Sequence, residues 1–232
     1  MNEQRLQSMP GFSGLDTPVA DRNRVLRNTY WLLALSMVPT VLGAWIGVTS
    51  GITTMMGNGL STILFLAGAF GFMYAIEKTK NSTAGVYVLL GFTFFMGLML
   101  ARLLAAILGF KNGSSLIMTA FGGTSLVFFG MASLATVIKR DLSNMGKFLF
   151  IGALILMVVG IVNIFMQSTA LMMTLSVMAI VIFSAFMLYD IKRVIDGGET
   201  NYISATLAIY LDVYNVFQSL LSILGIVGGE RD

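Results

Sequence analysis

The chain has 232 residues, of which 56% are hydrophobic and 11% are charged, and its formal net charge is +3. A soluble domain carries roughly 25% charged residues, so this composition predicts an integral membrane protein that consists mainly of spans of about 20 residues each. The absence of cysteine excludes disulfides and thiol chemistry. The absence of histidine excludes histidine-ligated zinc, serine–histidine hydrolysis and histidine-based pH sensing.

Residues 1–24 are polar and lack the apolar core of a cleavable signal peptide, so they are predicted to form a flexible cytoplasmic tail. Residues 25–232 are predicted to form one membrane domain. Within it, Pro39 predicts a kink in the first span, and the motif Gly43-x-x-x-Gly47 permits close contact with another helix. Seven apolar runs predict spanning helices at residues 28–49, 60–76, 84–108, 115–138, 148–166, 170–195 and 202–227.

Lysine and arginine are distributed unevenly between the two sets of predicted loops. The set that includes the tail contains eleven, the opposite set contains Lys111 and Arg231, and Arg102 lies inside a span. Cytoplasmic loops carry the excess of positive charge in membrane proteins. The N-terminus is therefore expected to be cytoplasmic and the C-terminus to lie outside.

Two aspartates interrupt the last two apolar runs. Asp190 ends an uncharged stretch that begins near Thr169, and Asp212 is the sole charge in the last span. A carboxylate at such a position is costly unless it is neutralised, paired or hydrated, and it is a functional candidate by default. Asp190 lies about 10 Å along its helix from Gly197, and Asp212 lies about 16 Å beyond Asn201. Antiparallel neighbouring helices would therefore bring both acids to similar depth as a pair.

A stripe of polar side chains shares the helix face of Asp212, namely Asn215, Ser219 and Ser222. Lipid offers such groups no hydrogen-bond partner, so this face is expected to contact protein or water. The stripe implies a central position for the last helix. Its polar residues are interpreted as interhelical hydrogen bonders, like Thr83, Thr119, Ser125 and Asn163 elsewhere in the chain.

Arg102 is the one cation inside a predicted span. It lies about 27 Å along a helix that begins near Ala84, which places it in the outer half of the membrane, away from the aspartates. One interpretation is an arginine that snorkels to the outer surface. The other is an outer gate residue, or a counter-charge to a cavity.

Two segments carry a family resemblance: VLRNTYWLLALS at residues 25–36 and DIKRVIDGGETNYISATLAIYLDVYNVFQSLLSILG at residues 190–225. They resemble the Bax inhibitor-1 family, and in particular its bacterial YccA-like branch. The similarity extends from about Val25 to the end of the chain. It implies a multi-pass protein of the bacterial inner membrane.

Three functions are compatible with paired intramembrane acids. An intramembrane aspartyl protease is disfavoured, because Tyr189-Asp190 matches half of the presenilin-type pattern while Ile209-Tyr-Leu-Asp212 lacks the required Gly-x-Gly-Asp. The second function is a pH-sensitive cation leak. Two close carboxylates share a proton, and cytosolic pH would then set the charge of the pair.

The resemblance bears on the remaining two functions. In the family, an aspartate pair matching Asp190 and Asp212 is implicated in a pH-sensitive calcium leak, so calcium is a candidate ligand there. The family arginine on the second span that meets this pair has no counterpart, since residues 60–76 contain no charge. The YccA-like branch is associated with an FtsH-type, ATP-dependent membrane protease, as substrate and as inhibitor.

The combined prediction is an all-α integral membrane protein, a seven-transmembrane-helix bundle with the C-terminal helix central. Its expected function is regulatory and non-enzymatic, with no cofactor and no nucleic-acid partner. The leading hypothesis is a modulator of an FtsH-type membrane protease, and the alternative is the cation leak.

Overall fold

The computed structural model describes residues 19–55 and 57–230, and within them it contains eight helices. Seven of these are long and apolar enough to cross a membrane, which confirms the predicted fold class. The helices are α1 (Val19–Ser50), α2 (Ile52–Met55), α3 (Asn58–Thr79), α4 (Thr83–Leu108), α5 (Gly113–Val137), α6 (Met145–Met166), α7 (Thr169–Ile195) and α8 (Tyr202–Gly228).

The beginning of the chain differs from the sequence prediction. Helix α1 begins at Val19, so residues 19–24, which were assigned to the tail, are helical. Charged residues such as Asp21, Arg22 and Arg24 do not end a helix that extends beyond the membrane surface, because they are not desolvated there. Residues 1–18 and Arg231 lie outside the described residues. The short α2 was not predicted, because four residues are too few for a periodic pattern.

Loops cluster at the two ends of the bundle. At the tail end, where α1 begins, the Asn201 side chain of the α7–α8 loop donates to the Lys80 carbonyl of the α3–α4 loop (2.9 Å). At the opposite end, the Asn112 side chain of the α4–α5 loop donates to the Gly228 carbonyl near the C-terminus (2.6 Å). Hydrogen bonds therefore connect two loops at the tail end, and a loop and the end of α8 at the opposite end.

Helices α1 and α4 approach closely through glycines. A Cβ atom added to Gly43 would lie 2.1 Å from the Phe94 carbonyl oxygen, and one added to Gly97 would lie 2.0 Å from the Thr40 carbonyl oxygen. A Cβ on Gly47 would lie 2.5 Å from the Ala101 side chain. The glycine motif of the first span thus serves the close contact that was predicted. Helix α1 continues through Pro39.

Helix α8 packs against α1, α3, α4, α5 and α7, contacts that are consistent with the predicted central position. Two tyrosines on it reach across to neighbouring helices. The Tyr210 hydroxyl lies 2.9 Å from the Thr40 hydroxyl of α1, and the Tyr214 hydroxyl donates to the Met96 carbonyl of α4 (3.2 Å). These bonds fix the rotation of α8, and hence the direction of Asp212, relative to α1 and α4.

The α7–α8 turn lies between the last two predicted spans and is formed by a glycine and a capping asparagine. Gly197 has φ of 79°, which only glycine adopts without strain at a helix C-terminus. The Gly198 amide donates to the Arg193 carbonyl (2.9 Å). Asn201 then caps α8, because its Oδ1 accepts from the amides of Ile203 and Ser204. The turn sets the depths of Asp190 and Asp212.

Candidate functional site

The two aspartates meet between α7 and α8. The carboxyl groups of Asp190 and Asp212 are in hydrogen-bonding contact, and α7 packs along α8. Asp212 is 4% exposed, whereas Asp190 is partly buried. The contact between Asp190 and Asp212 agrees with the similar depths that helix rise predicted for them.

The surroundings of the pair are asymmetric. Oδ2 of Asp212 is buried without a hydrogen-bond partner. The charged groups that interact with Asp190 are Arg193 and Glu199, at the tail end, and these two form an ion pair of 3.5 Å with each other. A buried oxygen that lacks a partner costs about 1–3 kcal/mol. A proton held between the two carboxyl groups, or a bound ligand, would remove part of that cost.

The neighbouring lysine is engaged elsewhere. Lys192 forms an ion pair with Asp196 one turn further along α7, so it does not serve as the counter-charge of Asp190. In the α5–α6 loop, outside the spans, Asp141 accepts hydrogen bonds from the amide and hydroxyl of Ser143. These bonds lower the pKa of Asp141 below its usual value. Lys192 and Asp141 are therefore engaged with other partners, and neither is paired with Asp190 or Asp212.

The chemistry available to the pair is limited. Within the described residues, no group of three or more acidic, histidine or cysteine side chains could hold a metal ion, and Ca²⁺ takes six to eight oxygen ligands. Two carboxylates alone would supply a minority of them. Tyr210, which lies between Ile209 and Leu211 where the protease pattern has its two glycines, is 1% exposed and packs edge-on against Phe92. The backbone beside Asp212 is thus covered by a large side chain.

The polar stripe of α8 lines a cavity of about 820 Å³ in the half of the bundle opposite the tail end. Asn215, Ser219 and Ser222 are all in its wall. Asn215 was expected to bond to another helix, but within the described part of the chain its Nδ2 donates instead to the Leu211 carbonyl one turn earlier in α8 (2.8 Å). The amide nitrogen of Asn215 is thus hydrogen-bonded within α8, and the side chain also lines the cavity.

Thr119 and Ser125 also differ from the prediction. Thr119 is exposed and Ser125 is half-buried, and their hydroxyls donate to the carbonyls of Ser115 and Phe121 in the preceding turn of α5. A hydroxyl on the lipid-facing side of a helix has this intrahelical acceptor within reach, so it needs no partner on another helix.

Arg102 lies in the wall of the same cavity as the α8 stripe. It is partly buried on α4, about 9 Å before the end of that helix, and Ser222 lies about 9 Å before the end of α8. Of the two interpretations of Arg102, the structure therefore provides the cavity that the second one requires. The gate role stays a prediction.

Two amides of this cavity, Gln167 and Gln218, were missed from the sequence, whereas Asn163 was expected to bond between helices and instead accepts from the Ser168 amide (3.1 Å). Asn163 and Gln167 at the end of α6 and Gln218 on α8 also line it. The available signal was that all three are uncharged amides near the same predicted membrane surface. Their convergence depends on which face each helix turns inward, which no local pattern specifies.

A second cavity, of about 950 Å³, lies among α1, α4, α5 and α8 and is lined almost wholly by apolar side chains. Tyr30 of α1 contacts Phe128 of α5 at its tail-end side, with ring centroids 6.1 Å apart. Trp45 borders it and is 64% exposed. Because large apolar side chains face outward around it, lipid chains can occupy this groove without any dedicated ligand.

Comparisons with known proteins agree on one family. A family model described as Inhibitor of apoptosis-promoting Bax1 matches residues 22–229. An Escherichia coli K12 protein named Modulator of FtsH protease YccA is 37% identical over 209 residues, which cover 90% of this chain and 93% of that one. Inner membrane protein YccA of Escherichia coli O6:H1 matches with the same values. A Vibrio cholerae protein named Uncharacterized membrane protein is 37% identical over 210 residues, covering 90% and 92%.

Proposed function

The chain belongs to the Bax inhibitor-1 family, and from this premise we propose that it is a non-enzymatic regulatory protein of the bacterial inner membrane that modulates an FtsH-type ATP-dependent protease. The observation that carries the proposal is the relative named as a modulator of that protease, which matches across nearly its full length. The N-terminus would be cytoplasmic, where such a protease engages its substrates.

The site geometry supports a regulatory role over a catalytic one. Catalysis by an aspartate pair requires room for substrate beside both acids. Asp212 is almost completely buried, and Tyr210 and Tyr214 on the same helix are 1% and 7% exposed and hydrogen-bonded to their neighbours. A substrate backbone would have to displace this packing. The residues that an active site would need are instead part of the helix core.

A reconstituted system tests the proposal. The purified chain and an FtsH-type protease would be placed in the same liposomes with ATP and a second membrane substrate. We expect excess full-length chain to slow degradation of the second substrate. Deletion of residues 2–18, which ends just before α1 begins at Val19, should leave a stable protein that the protease extracts slowly. A tail of the same composition in scrambled order is the matched control.

Two outcomes would contradict the proposal. If the full-length chain leaves degradation of the second substrate unchanged at every ratio, it does not modulate the protease. If the chain lacking residues 2–18 is degraded as fast as the full-length one, the tail is not the segment by which the protease engages it.

A second candidate function is a pH-sensitive cation leak, with calcium as its candidate ion. The contact between Asp190 and Asp212 favours it, since a proton shared by the pair would hold α7 and α8 together. In this scheme Arg102 is the candidate outer gate, and Asn215, Ser219 and Ser222 lead from its cavity toward Asp212. Flux of calcium into liposomes that contain the chain alone, measured across pH, tests it.

A further inference from the structure

The cavity opposite the tail end has walls from two pairs of helices. Helix α3 packs on α4, and α6 packs on α7. The cavity lies between these pairs, and α8 lines its inner side. Its volume of about 820 Å³ is within the range of small-molecule sites.

The described residues that line the cavity carry positive charge and no negative charge. Among the described residues that line it, Arg102 is the one charged side chain. The other polar groups are neutral, and they include Gln218, Ser219 and Ser222 of α8 and Asn163 and Gln167 at the end of α6. Ser219 and Ser222 are 8% and 6% exposed, so they face the cavity from within the packed bundle.

One arginine among neutral polar groups favours the binding of anions over cations. A guanidinium surrounded by low-dielectric helices attracts an anion and repels a cation more strongly than it would in water. Its planar fork of N–H groups matches the oxygen atoms of a phosphate in a bidentate arrangement. Amide and hydroxyl groups can complete the coordination by hydrogen bonds without adding negative charge that would compete for Arg102.

We propose that this cavity is a binding site for a phosphate group, with Arg102 as its charged ligand and the amides and hydroxyls of α6 and α8 as supporting donors. The phosphate can belong to an anionic phospholipid of the outer leaflet or be free inorganic phosphate. The site is separate from the aspartate pair, because Asp212 does not line the cavity while Asn215, one turn further along α8, does. The proposal is independent of protease modulation.

Isothermal titration of the purified full chain in a neutral detergent tests the site with three probes: inorganic phosphate, a short-chain phosphatidylglycerol and the matching short-chain phosphatidylcholine. We expect saturable binding of at least one of the first two. Arg102→Gln should weaken it by about tenfold or more, which corresponds to about 1.4 kcal/mol or more. Arg102→Lys should retain part of the affinity, because it keeps the charge and loses the fork.

The control is Lys111→Gln, which removes an exposed positive charge at the same end of the bundle but outside the cavity and should leave binding unchanged. Gln218→Glu keeps Arg102 and adds a negative charge to the cavity wall, so it should weaken binding even if Arg102→Gln does not fold. Binding of inorganic phosphate would identify a free-anion site, and binding of phosphatidylglycerol alone would identify a lipid headgroup site. Absence of saturable binding of both, or equal loss in Lys111→Gln, would overturn the proposal.

Discussion

The carboxyl groups of Asp190 on α7 and Asp212 on α8 are in contact, and Oδ2 of Asp212 is buried without a partner. Two ionised carboxylates in contact repel each other strongly in a low dielectric. The contact is therefore stable while one proton is held between them, and loss of that proton favours separation of the two helices. Two other charged groups interact with Asp190. They are Arg193 and Glu199, and their electrostatic effects on Asp190 are opposite in sign.

The first prediction concerns this pair. Independent hydrated aspartates, with an ordinary pKa near 3.9, would show no transition between about pH 6 and 8, whereas a pair that shares a proton should show one. Asp190→Asn and Asp212→Asn each remove the repulsion, so each should keep α7 and α8 at their low-pH distance throughout. The distance is measured between spin labels at Val181→Cys and Gln218→Cys, both exposed sites in a chain without native cysteine.

The control for this experiment is the labelled chain with both aspartates intact, together with Asp196→Asn, which removes an exposed acid of the same helix end and should preserve the transition. Calcium flux across the same pH range is the functional readout. An identical pH profile in the labelled parent and in both single variants would show that the two acids titrate independently.

Membrane orientation gives the second prediction. A reporter that is active only outside the cytoplasm should be active when fused after the last residue or inserted at Gly57, and silent at Asn144. The reason is the excess of lysine and arginine in the loops of the tail end. Activity at Asn144 with silence at Gly57 would invert the assignment. The tail would then lie outside, and a cytoplasmic protease could not engage it.

Much of this architecture is predictable from the sequence, for identifiable reasons. The apolar runs of 17–26 residues, separated by short polar loops, predict spanning helices, because a helix satisfies all its backbone hydrogen bonds within the membrane. The positions of Gly197 and Asn201 locate the α7–α8 turn by their backbone and capping chemistry. The depths of the two aspartates follow from the turn by helix rise alone.

The features that were not predictable depend on helix rotation. The outer-half depth of Arg102 follows from its position along α4, but its convergence with the α8 stripe depends on how α4 and α8 are turned. That rotation is set by distant contacts such as the Tyr214 hydroxyl on the Met96 carbonyl. Asn215 and Thr119 were misassigned for a related reason, because an intrahelical carbonyl is always available and competes with any interhelical partner.

The third prediction separates the two roles of Asn201. Its Oδ1 caps α8, and its Nδ2 donates to the Lys80 carbonyl across the tail end. Asn201→Ala removes both and should lower the free energy of unfolding by about 1–3 kcal/mol, the sum of a typical cap and one hydrogen bond. Asn201→Asp keeps an acceptor for the cap and loses the donor, so it should cost less. Unfolding in mixed micelles of increasing denaturing detergent measures both, and equal stability of Asn201→Ala and the parent would contradict the capping role.

The fourth prediction tests the contact between α1 and α4. A Cβ at Gly43 would lie 2.1 Å from the Phe94 carbonyl oxygen, and a backbone atom cannot rotate away as a side chain can. Gly43→Ala should therefore force the helices apart and lower the free energy of unfolding by about 1–3 kcal/mol. Gly71→Ala is the matched control, because Gly71 is also within a helix and has no atom within 4 Å of its added Cβ. Its expected effect is neutral or stabilising by about 0.5–1 kcal/mol, since alanine has the higher helix propensity. Equal effects of the two substitutions, measured in the same mixed micelles, would show that close approach of α1 and α4 contributes nothing measurable to stability.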